Sequence, residues 1–287
     1  MHRTFENPSF SDLSAIYNSI TSEKGNEQNE LLERIQTAGI MPVIDPEEAF
    51  KDIGETIEKV RALEGLAGVV LVGGSTSTEG ETETVVAALR GSIESRGASI
   101  KLIGFPGRKD QVVQGLHGLL FLYPPQLQTV FLGDPQRAGF LVEEAIGIRE
   151  RQKKLGISVI PTTYILFGGG RQSSVVEQTK ISPIRVSPGY EIDEVWKEAS
   201  SYIEKGLVFL EGGSGSAFAN LGPIAQLTYK KTGILPIVSG GISLPNHVSE
   251  ITSYGKFPLG LGSLIERTDV DNVQHVYQEM INSYTPD

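Results

Sequence analysis

Along most of the chain, short unbroken apolar runs alternate with longer stretches in which apolar residues recur every three or four positions. The runs occupy residues 40–45, 68–74, 101–105, 118–123, 157–166, 207–211, 234–239 and 257–261. Most are continuous Val, Ile, Leu and Phe, the pattern of parallel strands covered on both faces. The stretches 46–63, 79–96, 136–154, 191–205, 219–231, 246–254 and 270–283 predict helices. In the first of them acidic residues open the segment and Lys59 and Arg61 close it, which suits the helix dipole. One link is different: 108–117 is too short for a full covering helix. Eight strands in this alternation predict an α/β fold, a (β/α)8 TIM barrel with a modified or missing third helix. An open doubly wound sheet is the alternative.

Ahead of the first strand, 11–20 and 27–37 predict two short helices. Residues 1–38 are therefore expected to form an N-terminal helical extension and 39–287 the barrel. The extension is expected to cover the barrel bottom, with a lid or dimer arm as the other reading.

Composition narrows the partners. The 287 residues carry a formal charge of −10, from 25 basic and 35 acidic side chains, so the global field repels nucleic acid and anionic membranes. There is no cysteine, which removes disulfides and Cys-based zinc or nucleophile chemistry. No apolar stretch approaches the ~20 residues of a membrane span, and the first twenty residues lack a secretory pattern. A soluble cytoplasmic protein is expected. The 33 glycines cluster after the apolar runs, where backbone can approach a ligand closely.

Chemistry in a barrel gathers at the carboxyl ends of the strands. The first run ends in Asp45-Pro46, a carboxylate suited to a metal or, more plainly, to capping the next helix. The second ends in Gly73-Gly74-Ser75, with a hydroxyl able to touch a hydrated cation. The sixth ends in Phe209, Leu210, Glu211, Gly212, Gly213, Ser214 and Gly215. There Glu211, closing a buried strand, is placed to accept a substrate hydroxyl's hydrogen bond or its proton. The seventh and eighth end in Ser239-Gly240-Gly241 and Gly260-Leu261-Gly262-Ser263, the two places where barrels bind phosphate through backbone N–H groups. The fifth carries Tyr164, a candidate for positioning substrate, and runs into three glycines and Arg171. An aldolase would want a lysine inside a strand; Lys101 only begins one.

Taken together these strand ends resemble the geranylgeranylglyceryl phosphate synthase family, including the bacterial heptaprenylglyceryl phosphate synthases. The matching pieces are Ile44-Asp45-Pro46, Gly73-Gly74-Ser75, Phe105-Pro106-Gly107, Tyr164-Ile165, residues 209–215, Ser239-Gly240-Gly241-Ile242 and Gly262-Ser263. The resemblance implies a barrel lacking the usual third helix, a homodimer, and transfer of a prenyl group from its diphosphate to a hydroxyl of glycerol 1-phosphate. It implies Mg²⁺ at Asp45 and Ser75, with the acceptor phosphate held by residues 209–215, Gly240, Gly241, Gly262 and Ser263. Glu211 and Tyr164 are the catalytic candidates. An apolar groove is needed for the tail, and the sequence does not locate it.

The departures are Phe209 in place of a frequent Tyr, Ser263 in place of Asn, Arg108 in place of Asn, Val43 where some members have Lys, and residues 124–128 in place of a Ser-Leu-Leu-Asn segment. They fall at the two substrate ends. A divergent relative, the farnesyl-3-phosphoglycerate synthase of moenomycin-type pathways, is similar in this respect, and its acceptor carries a carboxylate that Arg108 or Arg171 would face. The sequence expectation is therefore farnesyl transfer to 3-phosphoglycerate. The alternatives are glycerol 1-phosphate as acceptor, or another phosphate-binding barrel enzyme.

Overall fold

A computed structural model describes residues 10–21, 25–74, 76–124, 126, 130, 134–168, 176, 179–186, 193, 196, 206–213, 218–262 and 266–284. The predicted strands appear as β1 (Ile40–Ile44), β2 (Val69–Val72), β3 (Lys101–Gly104), β4 (Gly118–Tyr123), β5 (Ser158–Gly168), β7 (Leu207–Glu211), β8 (Ile237–Ser239) and β9 (Leu259–Leu261). Each pairs in parallel with its neighbours, and β4–β5 pairing closes the ring of eight. The open-sheet alternative is thereby excluded. A two-residue strand, β6 (Ile184–Arg185), pairs with the end of β5 outside the ring.

The helices are α1 (Phe10–Thr21), α2 (Asn26–Thr37), α3 (Pro46–Lys51), α4 (Ile53–Ala62), α5 (Glu79–Ser95), α6 (Pro135–Leu155), α7 (Gly222–Thr232), α8 (Pro245–Thr252) and α9 (Val270–Tyr284). The helix expected over 191–205 lies largely outside the described residues. The helix expected over 46–63 is two helices. Asp52 leaves helical geometry at φ −145°, ψ 84°, and its carboxylate accepts from the Glu55 N–H at 2.8 Å. A short acidic side chain that caps a new helix competes with continuing the old one. By contrast α5 runs unbroken. Thr78 and Glu81 form a reciprocal cap, and Val85, Val86, Leu89 and Ile93 supply a buried stripe at helical spacing.

The link between β3 and β4 contains a single 3₁₀ turn, Lys109–Gln111, where a third covering helix would stand. Helix α6 covers this link instead. Its Glu144 accepts from the Lys109 N–H at 2.7 Å, its Arg151 donates to the Val112 carbonyl at 3.1 Å, and the Lys109 stem packs over Gly147. That displacement uncovers the outer face of β4 and β5, and α1 fills it. The Tyr17 ring stacks on Tyr123 at 4.7 Å, the Ser14 and Tyr123 hydroxyls meet at 2.8 Å, and Tyr17 reaches Thr163 at 3.3 Å. Of the two extension helices, only α2 lies at the barrel bottom. Leu31 packs over Gly118, and Glu27 accepts from Ser158 at 2.9 Å. Helix α1 is a flank element, placed there because displaced α6 leaves apolar strand surface to bury. Among the described residues no helix is long and apolar enough to cross a membrane.

Candidate active site

Side chains alternate along each strand, so every second residue of β7 faces the barrel axis. Phe209 and Glu211 face inward and line a cavity of about 230 Å³ at the carboxyl end. Leu210 faces outward into the layer packed by Ile224 and Val248, which removes it from the substrate-facing set. Its inclusion among the candidates followed from its place in the motif, and the two-residue period overrides it.

Across the strands, Tyr164 pairs with Phe209, Leu166 with Glu211, Glu211 with Ser239, and Ser239 with Gly260. Five strand ends therefore meet here: Asp45 after β1, Gly73 and Gly74 after β2, Glu211, Gly240 and Gly241 after β8, and Gly262 after β9, all on the cavity wall. The convergence expected from the sequence is present for these residues. Ser75, Arg171, Ser214, Gly215 and Ser263 lie outside the described residues.

Glu211 is buried, and burial pushes its carboxyl up to about 7. The Gly213 N–H donating at 2.8 Å and the Ser239 hydroxyl oppose that rise without cancelling it. Gly240 makes room for this carboxylate. It sits at φ 90°, and a Cβ there would lie 2.4 Å from Glu211 Oε1 and 2.6 Å from the Gly212 and Gly213 nitrogens. Gly240→Ala is therefore expected to cost about 1–3 kcal/mol of stability and to depress activity by displacing Glu211. Thermal melts paired with initial rates check this; an alanine variant as stable and active as the parent would remove the close approach from the account. Tyr164 stands 5.5 Å from the Phe209 ring, and burial together with Glu211 holds its hydroxyl well above the usual range, so it stays protonated.

At the other side of the mouth, Asp45 caps α3 by accepting from the Glu47 N–H at 2.9 Å. Capping and cavity-facing are both true of it. Its carboxylate rests directly on Gly74, whose Cβ would overlap it. Burial raises the Asp45 carboxyl, and Glu47, Glu48 and Glu81 add to the rise. Glu266 shares the wall and accepts from the Asp45 N–H at 3.0 Å; burial and the Asp45 charge raise its carboxyl too. Sequence reasoning passed over Glu266, whose only signal is an acid four residues beyond Gly262, where a phosphate site disfavours one. Arg108 does not reach the mouth. Its guanidinium is paired with Asp110 at 2.9 Å, because a short-range carboxylate two residues on is the nearer partner. The charged side chains among the described lining residues are all acidic: Asp45, Glu144, Glu211 and Glu266.

The loops behind the mouth are tied by Gln111. Its amide donates to the Gly74 carbonyl at 2.7 Å and accepts from the Gly107 N–H at 2.8 Å, joining the ends of β2 and β3. Gln126 does the same for β5, accepting from the Leu166 N–H at 2.9 Å and donating to its carbonyl at 2.8 Å. It supplies the pairing that β4 ends too early to give.

From the mouth the cavity continues over Phe105 and Pro106 at the end of β3. It is walled there by Phe121 of β4, by Leu141, Ala145 and Ile148 of α6, and by Leu13 of α1, with Glu144 of α6 turned to the Lys109 N–H and ammonium. This arm lies beside the β3–β4 link, whose Phe105, Pro106 and Gly107 line it and whose 3₁₀ turn stands in place of a third covering helix. The fold and the site thus define a (β/α)8 barrel with a polar, acidic mouth joined to an apolar side arm.

No protein-family model matches the chain. Curated relatives are nevertheless consistent with one another. The chain is 28% identical over 250 residues to the geranylgeranylglyceryl phosphate synthase of Thermofilum pendens, covering 86% of this chain and 91% of that one. It is also 28% identical over 225 residues to the protein of the same name from Zunongwangia profunda, covering 78% and 89%. Among solved structures, the geranylgeranylglyceryl phosphate synthase of Thermoplasma volcanium superposes with a TM-score of 0.71 at 22% identity, over 91% of this chain and 97% of that one. The Thermoplasma acidophilum enzyme, solved with sn-glycerol-1-phosphate, gives 0.67 at 20% identity over 89% and 97%. These two superpositions agree with the closed barrel.

Proposed function

We propose that this protein transfers a prenyl group from its diphosphate to a hydroxyl of a phosphorylated three-carbon acceptor, forming an ether and releasing diphosphate. The observation that carries the reading is the shape of the cavity, a polar mouth of carboxylates and glycines continuous with an apolar arm. A substrate with one charged end and one hydrocarbon end suits that division, and each buried methylene of the tail contributes about 0.8 kcal/mol.

A divalent cation suits the mouth. Diphosphate is an anion, and the charged groups of the described lining are acids, so a cation between them would offset their repulsion. Asp45 spends one oxygen on its cap, and Glu266 lies beside it. No three acidic or imidazole groups gather as a closed site among the described residues. Mg²⁺ would then take remaining ligands from diphosphate oxygens and water. When bound it supplies stabilisation of the negative charge that builds on the leaving diphosphate. On the acceptor side Glu211 holds the attacking hydroxyl and takes its proton, while protonated Tyr164 donates a hydrogen bond nearby.

Glycerol 1-phosphate is the acceptor the relatives' names favour, and the absence of basic groups among the described lining residues suits an acceptor with no charge beyond its phosphate. Farnesyl transfer to 3-phosphoglycerate is the second reading, supported by Phe209, which brings no hydroxyl to a position where the resembled family often has Tyr. A matched assay decides between them. The protein is incubated with Mg²⁺, labelled farnesyl or geranylgeranyl diphosphate, and each acceptor in turn. An apolar phosphorylated product is expected; no product from any tail length or acceptor rejects the transfer.

A further inference from the structure

We infer that the N-terminal helix α1 is part of the donor site and that Leu13 sets the length of tail the apolar arm admits. This rests on the proposed prenyl transfer and goes beyond it by assigning a specificity role to a segment outside the barrel.

The arm is walled on one side by α6, where Leu141, Ala145 and Ile148 recur at helical spacing, and α1 contributes Leu13 to its lining. Leu13 is 3% exposed and belongs to the same buried cluster as Phe121. One turn further on, Tyr17 stacks on Tyr123 and is itself fully buried, which fixes on the barrel the helix that carries Leu13. Ser14 fixes the same turn through the Tyr123 hydroxyl at 2.8 Å. The wall is therefore held by polar and aromatic contacts that do not face the tail, leaving Leu13 to meet the hydrocarbon. A residue so anchored gives the arm a stop instead of a yielding surface.

The test uses the full chain and alkyl phosphates of 8 to 20 carbons, titrated calorimetrically. In the parent protein, affinity is expected to rise about fourfold per methylene and then to level off at one chain length. Leu13→Ala should move the plateau to longer chains and Leu13→Phe to shorter ones. Leu13→Val, a one-methylene shortening that disturbs folding least, should move it in the same direction as alanine. In turnover, the ratio of kcat/KM for geranylgeranyl over farnesyl diphosphate should rise about tenfold in Leu13→Ala. A plateau at the same length in folded variants overturns the role of Leu13. A parent protein that binds alkyl phosphates with a length limit yet makes no prenyl product keeps the wall and loses the transfer reading.

Discussion

Replacing Asp45 with Asn is expected to lower turnover at least about a hundredfold while leaving the melting temperature unchanged or slightly raised. The two effects separate because Asp45 does two things. As the cap of α3 it accepts a hydrogen bond from the Glu47 N–H, and Asn caps a helix about as well as Asp. As a charge it sits half-buried among Glu47, Glu48, Glu81 and Glu266, which makes it costly to keep ionised unless a cation joins it. Asn retains the cap and removes the charge. Asp45→Ala would lose both, with about 1 kcal/mol of stability from the cap alone, and so would confuse the two roles. Initial rates across a Mg²⁺ titration, with melts on the same samples, check this. An Asn variant with parental activity would remove Asp45 from cation and diphosphate binding and leave it a helix cap.

The barrel itself was legible because each strand is buried on both faces, which forces unbroken apolar runs that no surface helix shares. Strand positions at β4 and β7 match the runs residue for residue, and the short link before β4 marked the missing helix. Strand ends were legible for a related reason: a carboxylate or a pair of glycines directly after such a run has few structural uses. What the runs conceal is direction. Leu210 and Glu211 are adjacent in the motif, yet one faces the outer layer and the other the mouth.

The arm was not legible at all. Leu13, Leu141, Ala145 and Ile148 read as ordinary apolar faces of covering helices, because periodicity reports which side of a helix is buried and not what it is buried against. Only the displacement of α6 over the 3₁₀ turn, and of α1 into its place, turns those faces into a cavity. Gln111 and Gln126 were equally silent. A lone amide carries no pattern, and its value lies in which backbone groups the fold leaves unpaired. Arg108 failed from the opposite cause, since it pairs with its sequence neighbour Asp110 and stands off the cavity wall.

Glu211 gives the second large expectation, and it concerns pH. A group that must accept a proton works only when ionised, and burial holds this carboxyl up to about 7. The rate kcat/KM should therefore climb about tenfold per pH unit below that value and level off above it. Glu211→Gln keeps the shape and can still accept a hydrogen bond from the Gly213 N–H through its amide oxygen, but it cannot take a proton. It should lower the plateau about 10²–10⁴-fold and remove the rise. Stability should respond with the opposite sign. Because the folded-state pKa is raised above the unfolded value, the native state binds the extra proton, so the contribution is full below the unfolded pKa of the carboxyl. It is lost as pH rises toward about 7, amounting to roughly 3 kcal/mol across that window. The Gln variant, with nothing to titrate there, should show a flatter stability profile than the parent between pH 4.5 and 7, alongside its lower activity. Rates and melts taken together from pH 4 to 9 separate a proton acceptor from a structural carboxylate. A Gln variant that keeps the parental pH–rate profile would assign the proton to another group, even if its stability profile flattened as expected.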